Sequence, residues 1–349
     1  MSEVNNCQKN LLNFLNNNPS ERYPVWFLRQ AGRYLPEYQK IRSNMSFIEL
    51  CNHPQKAAEV TLMPLKRFDL DAAIVFSDIL ILPQALGINL SFAKDHGPRL
   101  SPTVGIDTDL ESLDLSSLEK KFSPLSETLQ IVSEKLDPHV SLIGFAGAPF
   151  TLASYMIEGM TSKNFITTKS IAFSHPSFFT KLLNILSAGI KKLLTIQKNA
   201  GADILMLFDS WAGSLHPSDY QKIVVPIMKP LLKELRAELN CPVIYYPGQN
   251  PNNLESVSEL SLGVLAVDWR FCLKKLNTLF KHCFVQGNLD PASLFASKDF
   301  IRDKVSEILS ISNEYFPNRH IFNVGHGLLP QTPISSLCTV VETIRGFRT

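Results

Sequence analysis

The feature that most restricts the fold of this 349-residue chain is a unit that recurs along it: a short apolar run, a loop, then an amphipathic helical stretch. Eight such runs can be marked. They are PVWFLR ending at Arg29, AAIVFSD ending at Asp78, SLIGFAG ending at Gly147, ADILMLFDS ending at Ser210, CPVIYYPG ending at Gly248, GVLAVDW ending at Trp269, CFVQGNLD ending at Asp290 and HIFNVGHG ending at Gly327. Each is short, continuous in apolar character and bounded by turn residues, the pattern of a strand buried on both faces. Such strands pair in parallel and need helical crossovers. Two stretches supply clear ones. Residues 176–199 carry Leu182, Leu183, Leu186, Ile190, Leu193 and Leu194 at helical spacing, and residues 217–239 carry Ile223, Val224, Ile227, Leu231 and Leu232. Eight units predict an α/β fold, a single-domain (β/α)8 TIM barrel, with an open doubly wound sheet as the alternative. Residues 1–20 read as a polar N-terminal segment and residues 21–349 as the barrel. Residues 90–136 are too long for a simple loop and read as an insertion after strand 2 that contains a hairpin or lid.

Composition narrows the classes of function. A net charge of +2 implies no surface for nucleic acid, so basic chemistry must be local. No apolar run reaches the length of a membrane span. The opening MSEVNNCQKN has no basic segment followed by an apolar one, so no secretory signal is read there. The six cysteines are scattered without a CxxC pair, which points to free thiols and a cytoplasmic location. Arg29, Asp78, Ser210, Asp268, Asp290 and His326 all fall at or just past the carboxyl end of an apolar run. In barrel enzymes that rim carries the active site.

The stretch WFLRQAGRYLPEY places Arg29 and Arg33 four residues apart. Like charges at that spacing repel on a helix, so an anion between them is the natural explanation. The alternative for Arg33 is a rim ion pair with Glu37, again four residues on. This stretch closely resembles the first signature of the uroporphyrinogen decarboxylase family, and GFAGAPFTLASYMIEG, residues 144–159, resembles its second. FSDILILPQALG, FDSWAG, QGNLDP and GHG match in order, so the resemblance runs from about Tyr23 to Gly327.

The resemblance implies a (β/α)8 barrel, commonly a homodimer, that converts uroporphyrinogen III to coproporphyrinogen III without metal or organic cofactor. It also implies roles for residues. Arg29 and Arg33 would pair with substrate carboxylates in bidentate geometry, with Gln30, Ala31 and Gly32 in the same substrate-binding loop. Asp78 would gather the inward pyrrole N–H groups and stabilise the cationic ring; its alternative role is an N-cap. Tyr155 matches a substrate-contacting tyrosine, or else a half-buried one with its hydroxyl at the surface. Ser210 matches a hydroxyl position, or else caps a helix. His326 lies between two glycines, where it would reach the mouth. Arg29 is a poor acid, so His326, Tyr155 and a bound water are the easier proton donors. Phe145, Phe150 and Ile79 would pack on the ring faces or belong to the core. The segment YYPGQN, residues 245–250, departs from the family, where a phenylalanine and a basic residue are expected, and so a propionate contact there is in question.

Other readings are a zinc-dependent methyltransferase of the wider superfamily, a tetrapyrrole carrier without activity, and a phosphate-handling barrel. The methyltransferases bind zinc beginning with His-x-Cys, which this chain lacks. The carrier would share the arginines, and Gly325 and Gly327 make only a weak phosphate loop.

Overall fold

The computed structural model describes residues 9–18, 20, 22–93 and 97–347. Among them the strands are β1 (Ala72–Ile74), β2 (Asn89–Ala93), β3 (Gly97–Ser101), β4 (Ser141–Gly147), β5 (Ile204–Phe208), β6 (Val243–Tyr246), β7 (Val264–Ala266), β8 (Phe284–Leu289) and β9 (His320–Val324). Seven of these form one sheet in the order β1-β4-β5-β6-β7-β8-β9. Every pairing in it is parallel, as continuous apolar runs require. The sheet is curled and wrapped by helices, consistent with a TIM-like barrel.

The first apolar run does not form a regular strand. Pro24 has no N–H to donate, and the Val25 N–H is taken by the Asp71 carboxylate at 2.8 Å. The run nevertheless touches both edges of the sheet. Phe322 of β9 donates its N–H to Pro24 O at 2.8 Å, and Asp71, just before β1, donates to Val25 O at 2.9 Å.

The predicted helix over 176–199 is present as Pro176–Asn199, with Leu182, Leu186, Ile190 and Leu193 buried. The helical stretch over 217–239 divides into Pro217–Ile223 and Val225–Leu239. Pro226 is the reason, because it has no N–H for the carbonyl four residues back and its ring crowds that carbonyl. Within 90–136 lie the antiparallel β2–β3 hairpin and the helix Ser123–Lys135. The hairpin is tied to the Pro149–Glu158 helix: Leu100 N–H donates to Gly159 O at 2.8 Å. Of the segment read as polar, residues 1–8 lie outside the described residues. Residues 10–15 form a helix whose Leu11, Phe14 and Leu15 are buried.

Side-chain alternation along the strands separates two apolar clusters. Tyr245, Leu265, Val267 and Val285 face outward toward the helices. Tyr246, Val264, Ala266 and Phe284 share the other cluster with Trp26, Ile143 and Met206, which fills the interior. No helix among the described residues is long and apolar enough to cross a membrane.

Candidate active site

Arg29 ends the first run with φ at +59°, a left-handed conformation that is uncommon outside glycine. Both flanks are pinned. Leu28 N–H donates to Asn323 Oδ1 at 2.9 Å, and Leu328 N–H donates to Leu28 O at 2.9 Å. Gln30 is fully buried; its Oε1 accepts from Phe27 N–H at 3.2 Å and its Nε2 donates to Ala72 O at 3.1 Å. The Gln30 side chain is thus turned into the protein and fastens the loop to β1. Ala31 and Gly32 are half-buried; a Cβ on Gly32 would press on Arg29 O at 3.3 Å. Gly327 answers from the loop after β9. A Cβ there would overlap Arg29 Cδ, so the arginine stem lies across the glycine.

Arg33 stands exposed, without an ion pair among the described residues. Glu37 instead pairs with Arg67, at 2.6 and 3.0 Å, which removes the rim-pair alternative for Arg33.

Asp78 follows β1 and is half-buried. Its Oδ1 accepts the Leu80 N–H at 2.7 Å, a local turn rather than a cap, since the helix Ile81–Ala85 has no side-chain cap. Its second oxygen has no protein partner among the described residues. Burial pushes its carboxyl upward, while the Leu80 N–H and the positive charge of Arg29 oppose the rise. Beside it lies a cavity of about 320 Å³ lined by Phe47, Cys51, Leu90, Phe92 and Phe122.

Tyr155, on the Pro149–Glu158 helix, is 8% exposed. Its ring lies 5.7 Å from that of Trp211. Burial, reinforced by Asp78, pushes its hydroxyl up to about 12, with Trp211 and Arg29 opposing. His326 is half-buried, edge-on to Trp269 at 6.2 Å. Burial first, then Arg29 and Arg270, push it down to about 4, so the imidazole is neutral at pH 7. The charge of Arg29 thus reaches Asp78, Tyr155 and His326, and that of Asp78 reaches Tyr155. Ser210 is half-buried with its hydroxyl unbonded among the described residues, and the turn that follows has no side-chain cap, so it is not a helix cap. Phe150 is core, 1% exposed against Phe179, whereas Phe145 and Ile79 are half-buried.

The neighbour of Ser210 went unremarked in the sequence. Asp209 is fully buried and accepts from Thr151 N–H at 3.2 Å, Thr151 Oγ1–H at 2.7 Å and Tyr245 O–H at 3.0 Å. Tyr245 in turn bonds Tyr220 at 2.8 Å. This network holds the first turn of the helix that carries Tyr155. The signal was available, since an acid inside an apolar run needs donors. It also gives the divergent YYPGQN a place: Tyr245 anchors Asp209, and Gly248, at φ +89°, backs onto Gly213 N, 2.7 Å from where a Cβ would stand. Among the described residues, no three His, Cys, Asp or Glu side chains are gathered to hold a metal ion.

Comparison with known proteins adds two findings. The sequence profile of the family described as Uroporphyrinogen decarboxylase (URO-D) matches residues 6–347. A uroporphyrinogen decarboxylase from Thermodesulfovibrio yellowstonii is 40% identical over 93% of this chain and 94% of its own. One from Carboxydothermus hydrogenoformans is 41% identical over 92% and 91%. In fold, the chain is similar to a methyltransferase from Methanosarcina mazei, with a TM-score of 0.80 at 18% identity over 97% of this chain and 98% of that one.

Proposed function

Because this chain belongs to the uroporphyrinogen decarboxylase family, we propose that the mouth around Arg29 and Asp78 is where it binds and decarboxylates its substrate. The protein is a carboxy-lyase. It removes the four acetate carboxyls of uroporphyrinogen III as carbon dioxide and gives coproporphyrinogen III, in porphyrin and heme biosynthesis. The observation that carries the assignment of the site is the convergence of a guanidinium, a carboxylate, a phenol and an imidazole on one mouth in a chain of this family.

Asp78 has one oxygen committed to Leu80 and one available. That oxygen accepts from the pyrrole N–H groups at the centre of the macrocycle. Protonating a pyrrole carbon beside an acetate arm makes the ring an electron sink, and the Asp78 charge stabilises the resulting cation. Arg29 is held over Gly327 and pairs with a substrate carboxylate, with Arg33 outside it on the rim. Tyr155 and the neutral His326 orient the substrate by hydrogen bonds, Ser210 contributes its unbonded hydroxyl, and the backbone from Gln30 to Gly32 completes the loop. The chemistry needs no metal or organic cofactor.

We read the 24–28 segment as the eighth strand, which makes the fold a closed single-domain (β/α)8 barrel with the β2–β3 hairpin in an insertion. The chain works in the cytoplasm as a homodimer, for which Ile166 and Phe173, 70% and 53% exposed, supply apolar surface.

The test is anaerobic incubation of metal-free protein with uroporphyrinogen III, with the products separated by carboxylate number. A ladder from eight carboxylates to four is expected. Tight binding without turnover would instead mark a carrier. Stoichiometric zinc with methyl transfer would mark the methyltransferase.

A further inference from the structure

Among the described residues, four buried polar atoms on strands or strand ends that face the interior have no hydrogen-bond partner: Tyr246 Oη, Asp268 Oδ2, Gln286 Nε2 and Asn323 Nδ2. Their residues are 3%, 0%, 1% and 0% exposed. They come from consecutive positions around the sheet, on β6, after β7, on β8 and on β9. Ala266 pairs with Gln286, Gln286 with Ile321, and Asn288 with Asn323, so alternation turns Tyr246, Asp268, Gln286 and Asn323 to the interior together.

Three of these side chains are held at their other end. Trp26 Nε1–H donates to Gln286 Oε1 at 3.0 Å, and Leu28 N–H donates to Asn323 Oδ1 at 2.9 Å. The Arg270 N–H and guanidinium fill Asp268 Oδ1 at 3.0 and 2.8 Å. The free ends are consequently aimed rather than loose. The Tyr246 hydroxyl, near the Gln249 side chain but not bonded to it, completes the set. Two N–H donors, one carboxylate acceptor and one hydroxyl make a complementary lining for water, which takes about three hydrogen bonds when buried.

We propose that Tyr246, Asp268, Gln286 and Asn323 form a hydrated polar floor beneath the mouth, and that the water it orders relays protons to the bound substrate. The relay rests on the decarboxylase reading. For each acetate arm one C–C bond breaks, carbon dioxide leaves, the bonding pair ends in a new C–H bond, and one proton is consumed. Four protons must therefore reach an enclosed ring, and no oxidant or reductant is needed. The mouth's own side chains are poor sources at neutral pH. Guanidinium is a poor acid, His326 is already neutral, and Tyr155 holds its proton tightly. The set reaches the mouth electrically, since Tyr246 senses both Asp268 and Arg29. The charged groups facing Asp268 are Arg270 on its own loop and Asp290 beyond β8; burial raises its carboxyl, Arg270 lowers it and Asp290 raises it further.

Two experiments on the full chain test this. A high-resolution crystal structure should place ordered water within hydrogen-bond distance of these four atoms and in line with the mouth. The four atoms bonded to one another, in a dry interior, would overturn the site. Tyr246→Phe removes one hydroxyl and keeps the ring against Phe208, so it should fold. With uroporphyrinogen III its kcat should fall about tenfold, with KM within twofold, a steeper solvent deuterium effect and an unchanged Tm. Unchanged kcat, or kcat and KM shifting together with a lower Tm, would overturn the relay. An inactive wild type would sink the decarboxylase reading itself, while the crystallographic result still decides the water site.

Discussion

At the scale of single residues, position and use separate side chains that look equivalent in the sequence. Asp78 and Asp209 both end apolar runs. Asp209 spends its oxygens on Thr151 and Tyr245, whereas Asp78 leaves one oxygen free. Asp78→Asn should therefore lower kcat by a hundredfold or more with little change in Tm, as for other losses of transition-state charge stabilisation of about 3 kcal/mol. Near wild-type turnover would remove Asp78 from the mechanism. Gln30→Ala should do the reverse, losing about 1–3 kcal/mol of stability in urea through the unpaired Ala72 O and Phe27 N–H. Asp209 also makes a pH prediction. Burial raises its carboxyl from 3.8 to about 6, so between those values the folded protein binds more protons than the unfolded chain. Its contribution is complete below about 4 and is lost as pH rises through 6. The stability advantage of wild type over Asp209→Asn should accordingly be larger at acid pH than at pH 7, on the order of 3 kcal/mol at most, measured by urea denaturation. His320, fully buried and pushed down from 6.5 to about 4, acts with the opposite sign, losing stability as pH falls through that window.

At the scale of elements, the residues of the proposed site take their aim from contacts with other elements. Arg29 takes its direction from Gly327, some 300 residues away along the chain. Gly327→Ala would force the arginine stem aside. The expected result is a tenfold or greater rise in KM for uroporphyrinogen III with Tm little changed, since the displaced group is solvent-facing. An unaltered KM would mean that Arg29 does not need this seat. Tyr155 depends likewise on the Thr151–Asp209 bonds at the start of its helix. The split of the 217–239 helix at Pro226 shows local chemistry overriding apolar periodicity. The irregular first strand shows the same at Pro24.

At the scale of the whole molecule, the two edges of the sheet are brought together by a charge cluster at the amino-end face. The Asp71 carboxylate, 1% exposed, accepts from Val25 N–H at 2.8 Å, Arg22 at 2.6 Å and Arg345 at 2.9 Å. It joins the first run, the start of β1 and the last helix, Ile334–Gly346. Asp71→Ala should cost about 3 kcal/mol, the low end for breaking a buried pair because Arg22 is partly solvated. A loss below about 1 kcal/mol in chemical denaturation would show that packing alone holds the edges together. The sequence by itself determined the parallel α/β class, because strands buried on both faces cannot alternate. It also pointed to the loops proposed to carry the chemistry, because polar residues end those runs, and it determined the family, because two long signatures in order leave little else. It did not determine that Gln30 turns inward, that Glu37 belongs to Arg67, or that Asp209 anchors Tyr155's helix. Those are contacts between residues 30 to 58 positions apart. They form only when curling of the sheet brings distant strands onto one interior, where low dielectric makes an unpaired group costly enough to dictate its partner.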